Sequence, residues 1–172
     1  MAESSQQSKE DKLAQLLRAA FEIEATVQRD RRVWTTVPKD QLVSLCRFAR
    51  GLGFDHLSAI SVTDWPKEGT FELTYHLWSY SLKMLLTVKT KIKRADPQMD
   101  SAMPIFHENA QIHERELHEL FGVKFRGNPD VAPLFLEDWH GPPPFRKDFN
   151  WRDYVRQRCY DKSEEREKPY WE

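Results

Sequence analysis

The two histidines near position 115 are the first place in this sequence where metal chemistry is conceivable. His113, Glu114 and His118 invite comparison with the zinc-binding H-E-x-x-H helix, in which the histidines stand four residues apart. Here they stand five residues apart, so a helix separates them by about 140° instead of placing them on one face. Glu114 and His118 have the required spacing, but one carboxylate and one imidazole need further ligands to hold zinc. A stand-alone metal-dependent hydrolase using this helix is therefore the more distant alternative.

The same helix carries three glutamates, Glu114, Glu116 and Glu119, and paired carboxylates can serve as general acid and base. Nothing in the sequence fixes the distance between these carboxyl groups across a cleft. Arg115 precedes Glu119 by four residues, and Glu114 precedes His118 by four, which are the spacings of side-chain pairs along a helix. We therefore predict that the three glutamates and Arg115 form a charged face presented to a neighbouring protein.

This helix is predicted to run from about 110 to 121, with Asn109 as its N-cap and Gly122 as the residue that ends it. Four apolar residues are expected to hold the helix against the rest of the fold. They are Ile112, Leu117, Leu120 and Phe121.

A second charged segment, Arg146-Lys147-Asp148, follows three consecutive prolines. Proline restricts the unbound chain and lowers the entropy lost on docking. We therefore favour a rigid charged segment that forms ion pairs with a partner over a catalytic role for Asp148. Arg146 is the candidate for a bidentate contact with a partner's carboxylate, and its alternative is an internal salt bridge to Glu137 or Asp138. On the docking interpretation, Arg146→Ala impairs assembly more than folding.

An α+β domain over residues 11–125 is predicted to position these segments, after a disordered stretch at 1–10. Apolar residues at helical spacing predict a first amphipathic helix, and Pro38 can occupy the first turn of a second helix that Gly51 or Gly53 ends. The apolar stripes are Leu13, Leu16, Leu17, Ala20 and Phe21 in the first helix and Leu42, Leu45, Cys46 and Ala49 in the second. Cys46 is thus interpreted as a small core residue.

Three segments, 54–65, 70–79 and 82–92, are separated by turn residues and predict an antiparallel meander. In the second of them apolar and polar residues alternate, which puts one face on a core. The apolar residues are Phe71, Leu73, Tyr75 and Leu77. Residues 33–37 are all β-branched or aromatic and are a candidate for a fourth strand. We therefore expect an antiparallel sheet of three to four strands packed with helices.

The composition argues against several kinds of ligand and partner. The 26 basic and 27 acidic residues leave a formal net charge of −1, so no global field draws the chain to nucleic acid or an anionic membrane. Cys46 and Cys159 do not form a C-x-x-C pair, which argues against iron–sulfur or zinc ligation and favours a reducing, cytosolic setting. No segment approaches the roughly 20 apolar residues of a membrane span, so we expect membrane contact to be indirect.

Residues 126–172 are predicted to form an extended C-terminal arm rich in proline and aromatic residues. From Asn150 onward the basic and acidic side chains cancel, so the segment lacks the charge that gives affinity for nucleic acid, although its aromatic rings could stack on single-stranded bases. We favour aromatic anchors on a partner protein, with a solvated arm as the alternative. The aromatic residues of this segment are Trp151, Tyr154, Tyr160, Tyr170 and Trp171, and the anchors expected at the interface are Trp139, Trp151, Tyr170 and Trp171.

Taken together, the motifs between 114 and 149 resemble the hydrophilic thirty-kilodalton subunit of complex I, the NADH:quinone oxidoreductase, and its relatives in membrane-bound hydrogenases and related ion-pumping complexes. The matching residues are Glu114, Arg115, Glu116, Glu119, Leu120 and Phe121, then Gly122, Gly127, Pro129 and Asp130, and finally Arg146, Lys147, Asp148 and Phe149. The weaker part of the resemblance extends over about 50–150. Asn128 stands where the family usually has His, and Ala132 where a basic residue is common, which suggests a ferredoxin-linked or hydrogenase-like branch.

The resemblance implies a non-catalytic subunit of a peripheral arm that binds no cofactor or metal itself. Its partners would be the large subunit with the quinone site or nickel–iron site and the subunits that carry iron–sulfur clusters, at the cytoplasmic face of a membrane. The residues expected at the partner interface are Glu114, Arg115, Glu116, Glu119, Asp130, Trp139, Arg146, Lys147, Asp148, Trp151, Tyr170 and Trp171.

Overall fold

The computed structural model describes residues 8–130 and 132–160 of the chain. Helix α1 spans Lys9–Phe21 and begins after Ser8, whose hydroxyl accepts a hydrogen bond of 3.0 Å from the backbone N–H of Asp11. The prediction of disorder at 1–10 is therefore wrong for its last three residues, because this cap starts the helix earlier. Residues 1–7 lie outside the described part of the chain.

The main sheet has five strands in the order β1-β2-β5-β4-β3. Their bounds are Ala25–Arg29 (β1), Arg32–Thr36 (β2), His56–Trp65 (β3), Thr70–Ser79 (β4) and Met84–Lys93 (β5). All neighbours are antiparallel except β2 and β5, which pair in parallel. The α+β class is confirmed, and the sheet is larger than predicted because β1, with only Ala25 buried, lacks the alternating pattern that reveals a strand.

The core lies between this sheet and the helices. In β4 the predicted apolar face is confirmed, since Phe71, Leu73, Tyr75 and Leu77 are fully buried. Helix α2 spans Leu42–Gly51 after a short 3₁₀ turn at Lys39–Gln41, and its predicted stripe is fully buried as well. Cys46 is fully buried, which confirms it as a small core residue, and this burial raises the pKa of its thiol to about 12.

Helix α3 spans Met103–Phe121 and is longer than predicted. Its backbone departs from helical geometry at His107, with φ 49° and ψ −127°, and so the helix bends near the predicted start. Asn109 does not cap it; its side-chain amide instead donates a hydrogen bond of 3.4 Å to the carbonyl of Leu57. Leu117 and Leu120 are buried as expected, whereas Ile112 is 51% exposed and does not hold the helix.

After α3 the chain forms a small parallel sheet and then the arm. Strand β6 (Gln98–Asp100) pairs with β7 (Lys124–Arg126), and the described part of the arm includes helix α4 (Trp151–Val155) and a π-helical turn at Arg156–Tyr160. The arm contacts the domain at Phe145, whose N–H donates a 3.0 Å hydrogen bond to the carbonyl of Leu120. Among the described residues there is no helix of sufficient length and hydropathy to span a bilayer.

Candidate docking interface: a helix that holds the C-terminal arm

Glu114 lies in the interior, with none of its surface exposed. Its carboxylate accepts hydrogen bonds from the Ser101 hydroxyl (2.7 Å), the Ala102 backbone N–H (2.7 Å) and the Asn128 side-chain amide (3.0 Å). Burial raises the pKa of Glu114, and these three donors oppose that shift because they stabilise the ionised form. The prediction that Glu114 contacts a partner is wrong, because its carboxylate is buried and accepts hydrogen bonds from residues at the start of α3 and at the start of the arm.

Glu119 holds the next part of the arm. Its carboxylate oxygens accept hydrogen bonds from the backbone N–H groups of Leu134 (3.3 Å), Phe135 (3.0 Å) and Leu136 (2.6 Å). Three successive N–H groups on one carboxylate fix the course of the backbone, because a charge-assisted hydrogen bond is stronger than a neutral one. The segment around Phe135 is thereby attached to the last turn of α3.

Arg115 completes the attachment of the arm to α3. Its guanidinium donates to the carbonyls of Ala132 (3.1 Å) and Pro133 (3.0 Å) and forms an ion pair of 3.0 Å with Asp130. Glu116 is the only glutamate of the three without a bond to the arm among the described residues, and 37% of its side chain is exposed. Glu114, Arg115 and Glu119 therefore anchor residues 128–130 and 132–136. Whether Arg115, Glu116, Glu119 or Asp130 also contacts a partner stays a prediction.

Arg146 is directed into the fold and is not held outward by the prolines. Its Nε donates a 2.8 Å hydrogen bond to the carbonyl of Phe121, the last residue of α3, and its guanidinium lies 5.3 Å from the ring centre of Phe71. A Cβ atom at Gly122, whose φ is +75°, would stand 2.9 Å from both Arg146 Nη2 and Pro143 Cγ. The alternative of an internal salt bridge to Glu137 or Asp138 is not found, since Arg146 forms no ion pair within the described residues. A contact of Arg146 with a partner's carboxylate stays a prediction.

We expect Arg146→Ala to reduce stability, contrary to the prediction from sequence. Loss of a charge-assisted hydrogen bond and of the contact with Phe71 costs about 2 kcal/mol, which lowers the melting temperature of a chain of this size by about 4–8 °C. Arg152→Ala is the matched control, because Arg152 is exposed on α4. Equal melting temperatures for wild type and Arg146→Ala would contradict the inward placement and restore the docking interpretation.

Asp148 joins the arm to the sheet through Arg94, which follows β5. Arg94 binds Asp64 through Nε and Oδ1 (2.8 Å) and binds Asp148 through Nη1 and Oδ2 (3.0 Å). The Lys147 backbone N–H adds a 2.9 Å hydrogen bond to Asp64 Oδ2. Burial acts to raise the pKa of Asp64, but Arg94 and the Lys147 N–H together lower it, and Arg94 also lowers the pKa of Asp148. Sequence reasoning missed Asp64 and Arg94, and the partner role predicted for Lys147 and Asp148 is untested.

The predicted aromatic anchors have different environments. Trp139 packs against Phe149 and Tyr154, with ring centres 5.9 and 4.9 Å away, and its indole N–H donates a 3.0 Å hydrogen bond to the carbonyl of Pro142. Trp151 is 61% exposed. Tyr170 and Trp171 lie outside the described residues.

Two other aromatic side chains of the arm, Phe135 and Phe145, were not predicted as anchors. They are 63% and 59% exposed, respectively. Their apolar rings, held by α3 and left uncovered in the chain alone, are suited to burial against a partner.

The histidines proposed as zinc ligands have separate surroundings. His118 Nδ1 lies 2.8 Å from the carbonyl of Val123, while His113 lies 3.9 Å from Glu116. Within residues 8–130 and 132–160, no cluster of three His, Cys, Asp or Glu side chains is suited to holding a metal ion. Because Glu114 uses its carboxylate on internal donors, the geometry of the helix supports attachment of the arm and gives no support to hydrolysis at this helix.

Comparisons with known proteins place these features in context. Residues 35–155 match the family described as respiratory-chain NADH dehydrogenase, 30 Kd subunit. A subunit of the F(420)H(2) dehydrogenase of Methanosarcina mazei is 35% identical over 128 residues, or 73% of this chain and 80% of the relative. A subunit of the NADH-quinone oxidoreductase of Rhizobium meliloti is 36% identical over 122 residues, or 69% of this chain and 66% of the relative. A chain of the membrane-bound sulfane sulfur reductase, an archaeal respiratory membrane complex, superposes with a TM-score of 0.80 at 34% identity, covering 93% of this chain and 96% of that chain.

Proposed function

Since this chain belongs to the family of the 30-kDa subunit of respiratory-chain NADH dehydrogenase, we propose that it is a non-catalytic, hydrophilic subunit in the peripheral arm of a membrane-bound, ion-translocating redox complex. It binds no cofactor in this proposal, and electrons pass through iron–sulfur clusters of neighbouring subunits. Its role is to brace the large subunit with the quinone site or nickel–iron site against those iron–sulfur subunits, at the cytoplasmic face of the membrane.

The observation that carries the proposal is the set of exposed aromatic side chains on an arm that α3 holds in place. Glu119 fixes the backbone at Phe135, and Phe145 is tied to the end of α3, so these rings are positioned before any partner arrives. A surface that is ordered in advance loses less entropy on binding. Buried aromatic anchors contribute a large share of the affinity of protein interfaces, which supports docking as the purpose of the arm.

We expect the tagged chain to co-purify from detergent-solubilised membranes with iron–sulfur and membrane subunits in equal amounts. Iron–sulfur absorbance should accompany the complex and should be missing from the chain purified alone. Phe135→Ser with Trp151→Ser should remove the partners and leave the melting temperature unchanged, because both rings are exposed. Tyr80→Ser is the matched control, since Tyr80 is 65% exposed in the turn after β4.

Two results would contradict the proposal. One is stoichiometric zinc in the isolated chain, which would favour the hydrolase alternative. The other is a tagged chain that leaves the membrane extract without partners. The prediction of a ferredoxin-linked or hydrogenase-like branch, drawn from Asn128 and Ala132, stays a prediction that the identity of the co-purified subunits decides.

A further inference from the structure

A cavity of about 490 Å³ lies where the end of β5 meets the small sheet β6–β7 and the 3₁₀ turn before α2. Four cations line it, together with two carboxylates, so the pocket carries a positive surplus on a chain whose formal net charge is −1. The charged residues are Lys39, Lys91, Lys93, Arg126, Asp40 and Asp96. The local field therefore favours an anionic ligand.

Part of the positive charge in this pocket has no counterpart in the described residues. Lys39 and Lys93 form no ion pair there, whereas Lys91 pairs with Glu68 (2.7 Å) and Arg126 with Asp100 (2.8 Å). Both of these pairs are about half exposed, and exposed pairs contribute little, so the two cations can exchange partners.

Neither carboxylate of the lining, Asp40 or Asp96, forms an ion pair with a cation among the described residues. The Gln98 side-chain amide donates hydrogen bonds of 2.8 Å to both carboxylate oxygens of Asp96, which holds that group at the start of β6. Lys124 adds a further exposed cation beside the pocket, because it stands two residues before Arg126 on β7 and therefore on the same face. Because Glu68 and Asp100 lie against Lys91 and Arg126, the positive charge available to a ligand is chiefly that of Lys39 and Lys93.

The distribution of the cations points to several carboxylates rather than one phosphate. Lys39, Lys93 and Arg126 come from three different elements, and no aromatic side chain of the described lining could stack on a nucleobase. The cavity is also much larger than a single phosphate. Lysine ammonium groups on flexible stems pair well with separate acidic side chains, whereas phosphate recognition more often relies on a converging fork of donors.

We propose that this pocket receives an acidic segment of a neighbouring protein subunit, whose Asp and Glu carboxylates pair with Lys39 and Lys93. The proposal rests on the proposed function, because it requires that the chain be assembled with other subunits. It adds a second contact, distinct in chemistry from the aromatic side chains of the arm. Opposite charges across such an interface fix its register and speed association.

Treatment of the purified complex with a carbodiimide tests the contact, since this reagent joins a lysine amine to a carboxylate only where the two groups touch. We expect Lys39 or Lys93 to be cross-linked to an Asp or Glu of another subunit. We also expect both lysines to be acetylated more slowly in the complex than in the free chain. Equal acetylation in the two states would overturn the proposal, as would protection of the free chain by inorganic pyrophosphate alone, which would indicate a phosphate site.

Charge reversal gives the second test. Lys39→Glu with Lys93→Glu is expected to lower incorporation into the complex by about tenfold or more. Its control, Lys12→Glu with Lys83→Glu, makes the same charge change at two exposed positions, one on α1 and one at the opposite end of β5 from Lys93, and should incorporate like wild type. Equal melting temperatures of the two free variants exclude a folding defect.

The outcomes separate this inference from the function on which it rests. If both variants incorporate like wild type, the pocket is not a docking site and the proposed function stands. If wild type and control alike fail to enter a complex, the proposed function itself fails.

Discussion

Replacing Glu114 by alanine is expected to lower the free energy of unfolding by about 3–5 kcal/mol. The variant would leave the Ala102 N–H and the Asn128 amide without their acceptor in a site where the glutamate has no exposed surface. Each buried donor that loses its partner costs about 1–3 kcal/mol, and the removed side chain leaves a cavity as well. Urea unfolding followed by circular dichroism would measure the loss.

Two further variants make this expectation specific. Glu114→Gln keeps the volume and one acceptor oxygen, so we expect a smaller loss than for alanine, and this variant provides the measurement if Glu114→Ala does not fold. Glu116→Ala is the control on the same helix, because Glu116 is partly exposed and makes no bond to the arm among the described residues. If Glu114→Ala and Glu116→Ala lose the same free energy of unfolding, the buried carboxylate is not an anchor.

The position of Glu114 could have been read from the sequence by a stricter use of helical spacing. Ala110, Glu114, Leu117 and Phe121 follow one another at intervals of four, three and four residues, which places the glutamate within the apolar stripe of α3. A charged residue within an apolar stripe indicates a buried group with hydrogen-bond partners inside the protein. The charged neighbours of Glu114 in the sequence favour an exposed face instead, and that prediction is the one the structure contradicts. Within the family motif, Glu114 therefore stabilises the folded chain through internal hydrogen bonds.

Asp64 gives a similar lesson for strands. It lies opposite Phe71 in the β3–β4 pairing, and Phe71 belongs to the core-facing row, so Asp64 lies at a core-facing position. The core-facing position of Asp64 follows from the meander that the sequence predicts. The partners of Asp64 cannot be predicted in this way, because Arg94 and Asp148 are 30 and 84 positions away and no local spacing relates them.

The elements that were predicted well share one physical property. The stripe of α2 and the alternating face of β4 are each specified by burial of apolar side chains within a single element, which periodicity records. The course of the arm depends instead on single contacts between distant residues, such as Arg146 with Phe121. Proline content predicts stiffness of the arm, but it carries no information about the surface against which the arm lies.

Arg94→Met is expected to destabilise the chain at neutral pH by about 3–5 kcal/mol, because it leaves the Asp64 carboxylate buried without its cation. The Asp64 side chain is 1% exposed, and its remaining donor within the described residues is the Lys147 N–H. The same substitution releases Asp148, so the arm loses its attachment to β5. The control is Lys91→Met, which breaks the ion pair with Glu68, where both side chains are about half exposed. We expect the control to shift the melting temperature by no more than about 2 °C.

The pH dependence of the Arg94→Met effect tests its electrostatic origin. In wild type the pKa values of Asp64 and Asp148 are lowered from the ordinary value of 3.8, so their contribution to stability is fully present above that pH and is lost as pH falls through the depressed values. Glu114 has the opposite effect on the pH dependence of stability, because its raised pKa means that folding disfavours its ionised form. Wild type and Arg94→Met both contain Glu114, so its contribution cancels in the difference between their free energies of unfolding. Urea unfolding at pH 7 and near pH 3 should therefore show the gap between wild type and Arg94→Met shrinking in acid. A gap of constant size would mean that Arg94 stabilises the chain by packing on Phe71, whose ring centre lies 5.6 Å from its guanidinium, and not by pairing with the two aspartates.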